Sequence, residues 1–286
     1  METILNSEQM IEKAGLNWKV LSTPVLFEGN GLKEYVGKKV NYREDNGFPL
    51  GVVGDGYKVV QNSTAFAFLD SFLGESIENY VKAGSWKDGA RIYIRAKLPG
   101  TLIFAGNEND TGEKYVDFHT SHDGSISLEA SILAWRLVCS NGLKAFKKLA
   151  SVKARHTLHL NLDSMKESLG LLNNQFNVIQ ELSNKMAAQP FERNHFGNVL
   201  EKIGLIPAEP KRSTRAQNIL QYVESLFANG KGANLEGTKG TTWGAYNAIT
   251  EYVDHYRGNS VVKREESASI GSGALIKEKA LEVLSV

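Results

Sequence analysis

Alternation of apolar and polar positions is sharpest between Ala90 and Leu98, where Ile92 and Ile94 take one face and Arg91, Tyr93 and Arg95 the other. That period of two predicts a half-buried strand. Further strands are expected over Ser76 to Gly84, Tyr115 to Thr120 and Ser127 to Cys139, with a turn at Trp86-Lys87-Asp88-Gly89 and a glycine- and acid-rich loop from Gly106 to Glu113. Upstream, Asn6-Ser7-Glu8 opens a helix to Ala14 that Gly15 stops, and Leu16 to Asn41 reads as short strands and turns. Leu50 to Val60 reads as a β-hairpin about Gly54-Asp55-Gly56. Asn62 or Ser63 caps a helix from Thr64 to Phe72, in which Phe66, Leu69 and Phe72 recur at helical spacing. After the last strand, Asn141-Gly142 breaks the chain before a short basic helix, Gly142 to Leu149.

Beyond Leu160 the period changes. Leu169, Leu172, Phe176, Ile179 and Leu182 fall three or four apart, predicting one long helix from Asp163 to Ala188 that ends before Pro190. Helices follow over Phe191 to Ile203 and Arg215 to Ala228, then a loop from Gly230 to Gly240. Thr241 or Thr242 caps a helix through Trp243, Tyr246, Ile249, Val253 and Tyr256, and a final helix begins at Ala274. The expected class is α+β: an antiparallel sheet with a β-β-β-α core, helices packed on it, and a mainly helical C-terminal half. The corresponding division is 1–160 and 161–286, with the helices able to pack on the sheet as one body.

Composition narrows the setting. The 286 residues are 42% hydrophobic and 23% charged with a formal net charge of +1, as in ordinary globular proteins. Cys139, the only cysteine, leaves no internal disulfide to form and suits a reducing compartment. The first residues, METILNSEQMIEKAG, lack the apolar run of a secretory signal, and no window approaches the roughly 20 apolar residues of a membrane span. The expected location is the cytoplasm.

Charge is uneven despite the neutral total. Ala130 to Leu162 contains no Asp or Glu, yet it holds Arg136, Lys144, Lys147, Lys148, Lys153 and Arg155. Lys144, Lys147 and Lys148 share one face of the expected helix, and Arg91, Tyr93 and Arg95 can continue the patch. Cations interleaved with aromatic rings suit a groove that tracks a phosphate backbone while bases stack. Trp135 is a second stacking candidate, although its apolar strand suits a core role.

Other chemistry has less support. Gly51, Gly54 and Gly56 lack the lysine and the strand-turn-helix context of a phosphate-binding loop, so a turn explains them. His119, His122, Asp123 and His156 offer nitrogen and carboxylate ligands for a metal. His119 and His122, three apart beside a strand, do not share a face, and His122-Asp123-Gly124 reads equally as a β-turn. No serine sits in a nucleophile elbow, so no catalytic residue and no cofactor is expected.

Four segments carry a resemblance: Leu50 to Asp70 (LGVVGDGYKVVQNSTAFAFLD), Ala83 to Gly100 (AGSWKDGARIYIRAKLPG), Thr120 to Leu143 (TSHDGSISLEASILAWRLVCSNGL) and Val152 to His159 (VKARHTLH). With Thr241 to Gly258 (TTWGAYNAITEYVDHYRG), they resemble the phage- and plasmid-borne family often labelled phage/plasmid-like protein. That resemblance implies a mobile-element origin and brings no catalytic residues with it. The β-β-β-α order, with Asn141-Gly142-Leu143-Lys144-Ala145-Phe146-Lys147 opening the basic helix, is similar to single-strand annealing proteins of the Rad fifty-two and phage Sak type. It implies an oligomer holding single strands in a basic groove; the long helical C-terminal half departs from that pattern.

The expectation is therefore a cytoplasmic, phage- or plasmid-derived protein that binds single-stranded DNA and promotes annealing in recombination or replication, as a homo-oligomer, without bond-breaking chemistry. The alternative is a protein-binding accessory factor, such as an inhibitor of a host defence complex, using Tyr246, Tyr252, Tyr256 and the acidic loop. A third reading is a metal-dependent hydrolase at His119, His122, Asp123 and His156.

Overall fold

The segment about Ile92 and Ile94 lies inside the larger of two antiparallel sheets, and the class is α+β with helices concentrated towards the C-terminus. A computed structural model describes residues 5–74, 80–139, 141–143, 151–157, 160–170, 174–208 and 213–285. The chain forms two compact units that it enters more than once. The first comprises Met1–Leu98, Tyr115–Ser131 and Ser151–Leu171; the second comprises Pro99–Lys114, Ile132–Ala150 and Leu172–Val286. A single cut near Leu160 does not describe this path, because three strands contribute to both units.

In the first unit, α1 (Ser7–Lys13) starts with a capping box: the Asn6 side chain accepts from the Gln9 N–H, and the Gln9 side chain accepts from the Asn6 N–H. Strands β1 (Val20–Gly29), β2 (Gly31–Arg43) and β3 (Pro49–Gly54) form a three-stranded sheet in that order. The strand at Leu50 therefore pairs backwards, Val52 against Val40, and not forwards across Gly54-Asp55-Gly56. Neither Gly54 nor Gly56 has a positive φ, so the hairpin expected there does not form.

Helix α2 (Asn62–Leu73) has no side-chain cap at Gln61. Asn62, expected as a cap, is buried and donates to the carbonyls of Leu16 and Trp18. Strands β4 (Tyr80–Trp86) and β5 (Arg91–Phe104) are antiparallel, with residues 75–79 of the expected first strand outside the described residues. Their connection places Lys87, Asp88 and Gly89 at φ of 52°, 56° and 100°. One face of β5 buries Ile92, Ile94 and Ala96, and Phe68 and Phe66 of α2 meet Phe118 and Tyr80 at ring distances of 5.4 and 5.2 Å. Each such side chain contributes about 1.5–3 kcal/mol of burial.

The expected loop from Gly106 to Glu113 is a strand. Ala105 and Gly106, at φ of 54° and 65°, make a two-residue turn into β6 (Asn107–Ser121). Polar, acidic composition masked a half-exposed ribbon there. Strands β7 (Leu128–Arg136), β8 (Asn141–Leu143) and β9 (Ser151–Ala154) complete a sheet ordered β4-β5-β6-β7-β8, with β9 also pairing β7. The predicted basic helix thus has Gly142 and Leu143 in a strand, and its remainder, 144–149, lies outside the described residues.

Of the long helix expected over Asp163 to Ala188, the described residues form α3 (Leu162–Gly170) in the first unit and α4 (Gln175–Ala187) in the second, with 171–173 outside the described residues. A 3₁₀ turn, Arg193–His195, precedes α5 (Phe196–Lys202), and α6 (Thr214–Asn229) ends at Gly230. Thr241 caps α7 (Thr242–Glu251) by accepting from the Gly244 N–H, and a π turn, Tyr252–Tyr256, follows. The final helix expected from Ala274 is α9 (Ser272–Leu284), and a helix that was not expected, α8 (Val261–Ile270), precedes it, the two separated at Gly271.

Candidate nucleic-acid interface

Opposite the buried isoleucines of β5, the stretch from Arg91 to Lys97 lies in the first unit. Arg91, Tyr93 and Arg95 lie on it as the alternation predicts, each half-buried, and Lys97 continues the series. Register on β4 sets Gly84 beside Tyr93 and Lys82 beside Arg95. Gly84 has a specific reason: a Cβ there would meet the Tyr93 hydroxyl at 2.5 Å, so glycine admits the ring. Trp86 stacks on Tyr93 at 4.4 Å and on His119 of β6 at 5.9 Å, forming a three-ring platform. Cations border it: Lys82 lies 6.0 Å from the Tyr93 ring, and Arg95 lies 6.0 Å from the Tyr115 ring.

Two carboxylates lie among these cations. Arg95 Nε and Nη2 donate to both oxygens of buried Asp117 at 2.6 and 2.9 Å, a bidentate pair that orients the guanidinium. On the neighbouring strands, Lys153 Nζ sits 3.1 Å from Glu129. Arg91 Nε donates to Ser125 Oγ at 2.8 Å, and Arg155 is exposed just past β9. Lys82, Arg91, Arg95 and Lys97 lie along this stretch of β4 and β5.

Arg136 does not join that face. It is fully buried in the second unit, where Nε and Nη2 donate to Asp110 at 2.5 and 2.7 Å and Nη2 also reaches Thr238 Oγ1. Trp243 Nε1 donates to the same carboxylate at 3.2 Å. Its expected phosphate contact is therefore corrected: Arg136 is the centre of a structural ion pair with no route to solvent. A missing counter-charge nearby in sequence did not mean one missing in space, since Asp110 arrives from β6. Lys144, Lys147 and Lys148 lie outside the described residues.

The four metal candidates diverge. Among the described residues, no three His, Cys, Asp or Glu side chains gather as ligands. Asp123 accepts from the Ser125 N–H at 2.8 Å, the side-chain turn that composition allowed, with Gly124 at φ +73°. His156 stacks on Tyr57 at 4.6 Å, with Nδ1 at the Lys58 carbonyl and Nε2 at Thr120 Oγ1. Burial and the Ser121 carbonyl contact accompany a Tyr57 hydroxyl whose pKa is pushed up to about 12 by desolvation.

His122 is fully buried, and its Nε2 meets Asn62 Oδ1 at 3.1 Å. The Asn62 amide nitrogen already donates to two carbonyls, so its oxygen faces the imidazole and Nε2 carries the hydrogen. Nδ1 has no hydrogen-bond partner among the described residues. Burial, then the nearby His156, hold the His122 pKa down to about 4, and Asp123 opposes them. These groups knit the Ser121-to-Gly124 corner to the small sheet, where Asn41 Nδ2 donates to the His122 carbonyl at 2.7 Å.

Sequence reasoning missed Trp86 and Lys82 as members of the aromatic and cationic face. The Gly84-x-Trp86 spacing opposite Tyr93 was the available signal, and it becomes visible only once the β4–β5 register is known. The competing protein-binding set also changes: Tyr246 is buried, and Tyr252 and Tyr256 instead cluster with Tyr222 of α6 at 5.9 and 4.9 Å.

No curated protein and no solved structure matches the sequence. A family model described as a domain of unknown function matches residues 49–272, including every described residue of the aromatic and cationic face. Most of the chain lies within that match, and the chain belongs to the DUF932 family.

Proposed function

We propose that this chain binds single-stranded nucleic acid across the Tyr93 face of its larger sheet and promotes annealing as an oligomer, without bond-breaking chemistry. A phage or plasmid origin and a cytoplasmic setting belong to the same reading and rest on the sequence resemblance. The observation that carries it is the half-exposed Tyr93 ring, stacked on Trp86 and His119 and bordered by Lys82, Arg91, Arg95 and Lys97. A flat ring backed by other rings offers a base a stacking surface, and flanking cations offer its phosphates charge. Arg95 serves this reading as a positioned guanidinium fixed by Asp117, and Lys153 as the partner of Glu129. Arg136 has no part in it.

Fluorescence anisotropy with labelled single- and double-stranded oligonucleotides, each at low and high salt, tests the proposal. Tyr93→Ala is expected to weaken single-strand binding by roughly 5- to 150-fold, the equivalent of about 1–3 kcal/mol of stacking, while Tyr93→Phe retains it. Equal binding by wild type and Tyr93→Ala, or no retention of either strand at low salt, rejects the face as the site.

A second reading, a protein-binding accessory factor, draws on the Tyr222, Tyr252 and Tyr256 cluster, in which Tyr222 and Tyr256 are each 43% exposed. It predicts a stable protein partner lost on Tyr256→Ala, with no salt-sensitive retention of DNA.

A further inference from the structure

The corner at His122-Asp123-Gly124, between β6 and β7, is held from several sides. The His122 N–H donates to the Ala90 carbonyl at 2.7 Å, and the Asn41 side chain holds the His122 carbonyl from the small sheet. Asp123 lies directly over Gly51 of β3, where a Cβ would meet Asp123 Cβ at 2.6 Å and Cα at 2.8 Å, so glycine admits the close approach. Gly124, at φ +73°, turns the chain. Ser121 closes the base of that turn, its hydroxyl donating to the Ile126 carbonyl and accepting from the Ile126 N–H. These contacts fix the corner with no part played by Arg91.

At its tip the corner carries Ser125, whose N–H and hydroxyl both donate to Asp123 Oδ1. The single hydroxyl hydrogen goes to the carboxylate, so lone pairs face Arg91 Nε–H, which donates to Ser125 Oγ at 2.8 Å. A hydroxyl polarised by a carboxylate accepts more strongly than one that is not. We infer that Ser125, oriented by Asp123, is a positioning residue of the nucleic-acid face. It fixes the Arg91 guanidinium before any strand arrives, as Asp117 fixes Arg95. This inference rests on the binding proposed for that face.

Preorganisation is what the arrangement contributes. An arginine that samples many rotamers loses that freedom when it closes on a phosphate, and one already held loses less. On β5 the two held arginines lie two residues to either side of Tyr93, about 7 Å along the strand in each direction. A single strand laid along β5 meets a ring flanked by two guanidiniums whose directions are already set.

Anisotropy of a labelled single-stranded oligonucleotide with wild type, Ser125→Ala, Arg91→Gln and the double variant tests the role. Ser125 is exposed, so the far-UV circular dichroism spectrum of Ser125→Ala should match wild type. Ser125→Ala is expected to weaken binding roughly 2- to 12-fold, as for ordering one long side chain, with an unchanged salt slope because Arg91 still reaches phosphate. Arg91→Gln is expected to make the slope shallower by about 0.7. In that background Ser125→Ala should have no further effect, and Ser125→Thr, which keeps the hydroxyl, should bind like wild type. An effect of Ser125→Ala that persists in Arg91→Gln gives Ser125 a strand contact of its own and overturns the inference. Side-chain ¹⁵N spectra recorded without nucleic acid give a second readout: the Arg91 Nε–H should exchange with solvent faster in Ser125→Ala, and an unchanged signal also overturns it. The two readings fail differently. A wild type that retains no single strand rejects the face itself and the positioning role with it, whereas binding lost in Tyr93→Ala but intact in Ser125→Ala rejects the positioning role alone.

Discussion

Acidification should destabilise the first unit through a single buried imidazole. An unfolded histidine titrates near 6.5, whereas burial holds His122 at about 4, with the hydrogen on Nε2 facing Asn62 and no partner for a second hydrogen on Nδ1. Between those values the unfolded chain binds a proton that the folded chain does not. The contribution to stability is therefore complete above about pH 6.5, is lost as pH falls, and stops changing below about pH 4. At about 1.36 kcal/mol per pH unit, the gap corresponds to ~3 kcal/mol overall, of which about 2 kcal/mol is lost by pH 4.5. Urea unfolding of wild type and His122→Gln, compared from about pH 7 to about pH 4.5, isolates this from the carboxylates and from His156. The difference in stability between the two proteins should shrink by about 2 kcal/mol over that range. Side-chain ¹⁵N spectra should show the Nε2–H tautomer down to about pH 5. Parallel stability profiles, or an imidazole that protonates near 6.5, would refute the reasoning.

Other expectations bear on the second unit and on packing. Asp110→Ala leaves the buried Arg136 guanidinium without its carboxylate and should cost about 3–5 kcal/mol, read as a lower urea midpoint. Gly-to-Ala changes inside a helix usually gain about 1 kcal/mol, but a Cβ at Gly244 would lie 2.1 Å from the Thr238 carbonyl oxygen, so Gly244→Ala should lose about 1–3 kcal/mol. Gly51→Ala should lower thermal stability for a similar reason, with Asp123 Cα 2.8 Å from the added atom. Cys139, fully buried, should react with a thiol reagent only in denaturant; fast labelling of the native protein would contradict its placement.

Periodicity carried much of the fold. The Ile92 and Ile94 alternation, the Phe66 and Leu69 spacing and the Thr241 cap all describe short-range geometry, which neighbouring residues specify. Pairing partners were less legible. Leu50 to Gly54 could pair forwards or backwards, and only the contact of Gly51 with Asp123 and the Val40 to Val52 register favour the backward choice. Gly106 to Glu113 looked like loop because an exposed ribbon needs little apolar content; its positive-φ turn sits one residue earlier, at Ala105. For the site, Arg91, Tyr93 and Arg95 followed from one strand, whereas Trp86, His119 and Asp117 required three strands in register. Arg136 fails as a surface cation because linear charge counts ignore partners distant in sequence.

The number of phosphates engaged separates a sheet-face site from the wider cationic groove that the sequence suggested. Binding of single strands falls with salt at a log–log slope of about −0.7 for each phosphate neutralised. Three phosphates held by the cations of the Tyr93 face would give a slope of about −2. Participation by Lys144, Lys147 and Lys148 would deepen it to about −4, and all eight cations first considered would require nearly −6. Anisotropy titrations at several salt concentrations measure this directly. Combining Lys144→Ala, Lys147→Ala and Lys148→Ala should leave a slope of −2 unchanged if the face acts alone. Arg136→Gln should leave the slope unchanged too, because a fully buried side chain releases no counterion. A shallower slope in Arg136→Gln, with the fold intact by circular dichroism, would put that residue back in contact with phosphate and break the distinction between its structural ion pair and the binding face.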